Sequence, residues 1–166
     1  MGQEDLEMEW LAPDRFMQPV ERRRVRYLLR QQKSLRDQEQ RPANGEPLTK
    51  AQREKLDARW RASHARLEEL SMDMLKRYLG VGKYSVLHVR RLDGLETLLQ
   101  VLAAEVEFND WNRRWMWCMR GRKLRKNGTL GFVDAYTYFN IADVRRRRLD
   151  GTWQRIQPVE DMEERV

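Results

Sequence analysis

Cysteine is nearly missing from this sequence: Cys118 is the single one among 166 residues. One cysteine forms no internal disulfide, so packing must hold the chain together, and a reducing intracellular compartment is the simple expectation. Histidine is almost as scarce, with His64 and His88 far apart. Metal sites draw three or four His, Cys or carboxylate ligands at close, regular spacing, so neither a metal nor a cofactor is expected. His64 reads as an interface residue on a helix and His88 as part of a strand. Cys118 sits among Trp115, Met116, Trp117 and Met119 and reads as a packed thiol rather than a nucleophile. Two histidines and one cysteine assemble no convergent catalytic set, so no enzyme is expected, and only carboxylate chemistry stays open.

Long apolar runs are absent too. The longest is five residues, 115–119, and others such as 101–104 are shorter, against about 20 for a membrane-spanning helix. Membrane contact is therefore expected to be peripheral at most. The acidic N-terminus (Glu4, Asp5, Glu7, Glu9) matches neither a secretory signal nor a mitochondrial presequence. The sequence from Gly80 to Ser85 has the look of a phosphate loop, but Arg77 stands where the first glycine is needed and Tyr84 where Ser or Thr must follow the lysine.

Lysine is the scarce cation: 7 Lys stand beside 26 Arg, with 26 acidic residues between them and a net charge of +7. Arginine presents a planar fork that pairs with carboxylate or phosphate at two points and stacks on aromatic rings. An arginine-dominated surface with six Trp suits fixed contacts, and its sign favours anionic partners. With a mean hydropathy of −0.88, little sequence is left for a large core.

Along the chain, Pro13 and Pro19 suggest an extended arm over residues 1–19. Residues 20–40 follow as a helix with a narrow stripe at Val25, Leu28 and Leu29, and 41–47 as a linker turning at Asn44-Gly45. Thr49 and Gln52 form a capping box. Leu56, Trp60, Ser63, Leu67, Leu70, Met74 and Tyr78 then recur at spacings of four and three, a seam for one partner helix, until Gly80 stops it. A strand over 84–90 would be isolated. Asp93 and Glu96 make a second capping box, and Leu95, Leu98, Leu99, Leu102 and Val106 predict a helix running to about Arg120, stopped by Gly121. Ala135, Tyr138, Phe139 and Ala142 predict another over 134–149.

The expected fold is thus mostly α: an antiparallel long-helix pair with an additional N-terminal helix, a short C-terminal helix and extended terminal arms. Its segments are an arm (1–19), a helix and linker (20–47), a helical core pair (48–128) and a short helix with an acidic tail (129–166).

The richest constellation is residues 111–126, where Trp111, Trp115 and Trp117 interleave with Arg113, Arg114, Arg120, Arg122, Lys123, Arg125 and Lys126. Cations neutralise phosphates while aromatic faces stack on unpaired bases. The same residue types anchor protein interfaces. Arg145, Arg146, Arg147 and Arg148 form a second cluster, for which a solvated helix face is the plain alternative. Acids at Asp110, Asp134 and Asp143 tip the balance toward protein. The expectation is a non-catalytic structural or accessory subunit of a large multiprotein assembly, of the respiratory-complex type by analogy of composition, bound to neighbouring protein subunits. The alternative is an RNA-binding protein of a ribosome. That analogy points to mitochondria.

Overall fold

Proline at its first position and a reciprocal capping box between Gln18 and Glu21 start the first long helix, satisfying donors that a helix end leaves open. The computed structural model describes residues 11–90, 96–111, 113–138, 144–148 and 150–159. Three helices come first: α1 (Pro13–Phe16), α2 (Pro19–Gln40) and α3 (Lys50–Leu79). Six strands complete the chain: β1 (Val86–Arg90), β2 (Glu96–Asn109), β3 (Arg114–Leu124), β4 (Leu130–Tyr138), β5 (Val144–Arg147) and β6 (Trp153–Arg155). They form one sheet in the order β4-β3-β2-β1-β5-β6, and every pairing is antiparallel.

The expectation of a mostly α chain is therefore overturned. Helix α3 has its expected ends, with the Thr49–Gln52 box at its start and left-handed Gly80 (φ 67°) at its stop. Beyond Gly80 the chain turns to strand, so the 48–128 segment is one helix and three strands rather than a helix pair. The helix that pairs with α3 is α2. The predicted helix over 95–120 is β2 and β3, and the reason is a β-bulge. Register shifts between Val101 and Ala103, so the inward residues of β2 run Leu99, Val101, Ala104, Val106. One inserted residue turns a period of two into spacings that imitate a helix. Gly121 is no helix stop: opposite the bulge, a Cβ there would lie 2.1 Å from the Gln100 carbonyl oxygen. The predicted helix over 134–149 gives way to the end of β4 and to β5; residues 139–143, and the Asp93 of the second capping box, lie outside the described residues. Nor is β1 isolated, since it lies between β2 and β5.

The core fills from both layers. Val25 and Leu28 of α2 and Leu67, Met74, Leu75 and Leu79 of α3 meet Leu87, Val89, Leu99, Val101, Val106, Trp117, Met119 and Val144 of the sheet. The sequence-predicted seam is thus used within the chain: Leu67 and Met74 are fully buried, while Leu56, Trp60, Leu70 and Tyr78 are half-buried. Trp60 stacks on His64 at 4.7 Å under the Arg36 guanidinium. The arm over 1–19 is not extended where it is described: Leu11, Pro13 and Met17 are buried, and the indole N–H of Trp117 donates to the Leu11 carbonyl at 2.9 Å.

Two polar fastenings set the helices. Glu21 of α2 accepts from Arg77 (2.6 Å) and the Tyr78 hydroxyl (2.8 Å) of α3. Burial would raise the Glu21 pKa, but the bonds from Tyr78, the Gln18 N–H and Arg77 outweigh it and hold the group below its ordinary value. Ser71 donates to Leu67 O and accepts the Val106 N–H at 2.9 Å, pinning α3 along the part of β2 that extends beyond β1.

Candidate nucleic-acid interface

The β5–β6 hairpin concentrates cations without a core reason for most of them. Its turn is set by Asp150, which accepts from both the N–H (2.9 Å) and the hydroxyl (2.6 Å) of Thr152, and by Gly151 at φ 85°. Those bonds from Thr152 hold the exposed Asp150 carboxyl below its ordinary pKa. Strand alternation then sorts the arginines. Val144 enters the core, and Arg146 turns the same way to donate to Gly80 O at 2.7 Å, a cation on the C-terminal carbonyls of α3. Arg145 and Arg147 point to the opposite face and are exposed.

That opposite face is built by register. Arg145 pairs with His88 of β1 on one side and with Arg155 of β6 on the other, and Arg147 pairs with Trp153. The Trp153 ring, 38% exposed, lies 5.6 Å from the His88 ring, and His88 contacts Glu96 at 3.2 Å. Arg122 of β3 shares the face through Gln100 and Val86. Arg145, Arg147, Trp153 and Arg155 are all exposed on it. Arg148 lies at the edge of the turn, donating to Gln154 at 2.9 Å. The cluster at 145–148 is thus a strand whose alternate members face apart, not one face of a helix.

The stretch 111–126 does not form one surface. Trp117 is buried, and Trp115 is half-buried against the core with Phe108 5.1 Å away. Arg120 is half-buried and lies 3.6 Å from Glu68 of α3. Arg122 and Lys123 are exposed on opposite faces of β3, and Arg125 and Lys126 are exposed in the β3–β4 turn. Only the β2–β3 tip keeps the predicted character: Trp111 is 95% exposed beside exposed Arg113 and Arg114.

Asp110 lies at that tip, away from β5 and β6, and Asp134 occupies the β4 register position opposite Arg122; residue 143 lies outside the described residues. Asp110 and Asp134 therefore do not flank Arg145 and Arg147. Sequence reasoning missed His88, Trp153 and Arg155 as partners of these arginines. The signal was there in Asp150-Gly151, a hairpin dipeptide, followed by the alternation Trp153-Gln154-Arg155. Groups of three or more metal-ligating residues are confined, among the described residues, to Glu105, Glu107 and Cys118 beside α3. No family model, curated protein or solved structure matches the chain.

Proposed function

We propose that the chain is a non-catalytic nucleic-acid-binding protein that takes a single strand across the sheet face of β1, β5 and β6. The observation that carries this reading is the cross-strand placement of Arg145 opposite Arg155, with Arg147 and the exposed ring of Trp153 as the next pair. Like charges directly opposite each other in a sheet cost stability, and a phosphate chain laid along them offsets that cost. Trp153 offers a base a stacking surface, a contact that tolerates any sequence. The net charge of +7 steers a polyanion in the same direction.

Anisotropy of a labelled, unstructured oligonucleotide with the full chain tests this. Trp153→Ala should weaken binding by about 1–3 kcal/mol, the worth of one base stacked on an aromatic ring, for unrelated sequences alike. Binding indifferent to Trp153, or equal affinity for duplex and single strand, sinks the proposal. A second reading, subunit of a larger protein assembly, is favoured by one observation, the 95% exposure of Trp111, a residue type that anchors protein interfaces. Co-purification from the source organism that is lost in Trp111→Ala would support it.

A further inference from the structure

Beside α3, on the part of the sheet away from β5 and β6, two carboxylates and a thiol converge, and a histidine reaches one of the carboxylates. Glu105 and Glu107 project from the same side of β2, and Cys118 is the cross-strand partner of Glu105 on β3. The ligand atoms of these three lie within 4.8 Å of one another, a spread that carboxylate rotation can close. His64 of α3 reaches the group through Glu105, its Nδ1 3.4 Å from Glu105 Oε2.

The histidine is already oriented. Its Nε2 contacts Glu68 Oε1 at 3.1 Å, so an Nε2–H donated there leaves the Nδ1 lone pair directed at Glu105. This is the arrangement in which a carboxylate fixes the tautomer of a metal-binding imidazole. Nδ1 is buried and makes no hydrogen bond. An imidazolium held between Glu68 and Glu105 would instead aim an N–H at Oε2. The separation of 3.4 Å does match two donors sharing one tetrahedral zinc, which stand about 3.3–3.6 Å apart when each is about 2.0–2.2 Å from the ion.

We propose that His64, Glu105, Glu107 and Cys118 form a closed, four-donor site for a divalent transition metal, zinc foremost, that staples α3 to the β2–β3 hairpin. One imidazole, one thiolate and two carboxylates suit zinc, which accepts nitrogen, sulfur and oxygen, and a site without an open position is structural. The uncharged thiol gives up its proton on binding, as do any protonated carboxyls. Burial holds Glu105 and Glu107 above the ordinary carboxylate range, and for Glu105 the charges of Glu107 and Glu68 add to it against His64 and Arg120. A dication reverses that penalty.

The test is titration of the chelator-treated full chain with Co2+, followed by displacement with Zn2+. The expected result is one Co2+ per chain, with the visible bands of tetrahedral cobalt and a near-ultraviolet thiolate-to-cobalt charge-transfer band. Cys118→Ser should abolish that band. His64→Gln and Glu107→Gln should each weaken binding at least about 10-fold, and Glu68→Gln about 10- to 100-fold, while His88→Gln leaves it unchanged. Circular dichroism reports folding, and if Cys118→Ser fails to fold, Glu107→Gln decides by weaker affinity with the band retained. A folded wild-type chain that gives no charge-transfer band overturns the proposal. So does affinity that survives both His64→Gln and Glu107→Gln, because cobalt is then held at the surface.

Discussion

On β3 alternate side chains enter the core, so Trp115, Trp117 and Met119 pack inward while Arg120 and Arg122 face the other way. On β5, and just past the end of β6, the core takes Val144 and Ile156, and the aromatic ring stays outside with the arginines. The two regions share residue types and differ in which parity holds the tryptophan. A tryptophan in phase with the apolar positions is spent on stability. One in phase with the arginines stays at the surface, as Trp153 does. Arg146 shows the same logic in reverse, since its inward parity takes it to the end of α3 rather than to a ligand.

Breaking the comparison starts with its largest expected effect. Trp117→Ala should cost about 3–5 kcal/mol of unfolding free energy, as for other large aromatic core truncations, whereas Trp153→Ala should stay within about 0.5 kcal/mol, the usual range for surface changes. Chemical denaturation of both variants gives the answer, and equal losses would erase the distinction. At Gly121 an added Cβ meets the Gln100 backbone. Gly121→Ala should therefore cost about 1–3 kcal/mol by overpacking and lower the thermal midpoint; a neutral effect would contradict the close approach across the bulge. Ser71→Ala removes the acceptor of the buried Val106 N–H, with an expected cost of about 1–3 kcal/mol for an unsatisfied group.

Acidic groups give a smaller and oppositely signed pair of effects. Glu21 lies below its ordinary pKa, so the stability it contributes is present above the ordinary carboxylate range and is lost as pH falls through its lowered value. Glu105 and Glu107 lie above theirs, so their contribution is present below that range and is lost as pH rises through the raised values. The groups that set this balance are His64 and Glu68 on α3, Arg36 on α2 and Arg120 on β3. In chelator, Glu107→Gln should raise the thermal midpoint at neutral pH and flatten its decline with rising pH. Glu21→Gln should lower the midpoint at neutral pH, with a gap that narrows in acid. The same sign for both would show that the two sites do not differ as described.

Local punctuation was legible in the sequence. The Thr49–Gln52 box, the Gly80 stop and the 41–47 linker are local chemistry, and each sits where the residues place it. Leu67 and Met74 of the seam are buried too, although against α2 and the sheet rather than the predicted helix. The sheet was illegible because the bulge beside Leu102 made β2 imitate a helix, and one wrong period then placed every side chain from 95 to 120 on the wrong kind of face. Arg145 and Arg147 stood out in the sequence as a basic cluster, yet the neighbours the sheet gives them depend on pairing between β1, β5 and β6, which no spacing within one segment encodes. The His64, Glu105, Glu107 and Cys118 group was invisible for the same reason: its members come from three elements.

The most direct test of the central claim is the salt dependence of single-strand affinity for the wild-type chain and for Arg145→Gln/Arg147→Gln/Arg155→Gln. Every phosphate that the protein no longer neutralises should flatten the slope of log affinity against log salt by about 0.7. The triple variant should therefore flatten it by about 2 if each arginine meets one phosphate. Changing Arg122, Lys123, Arg125 and Lys126 together should flatten it less, because only Arg122 shares the face of β1, β5 and β6. A triple variant with the wild-type slope, or a larger effect from the β3 set, would contradict the assignment of binding to β5 and β6.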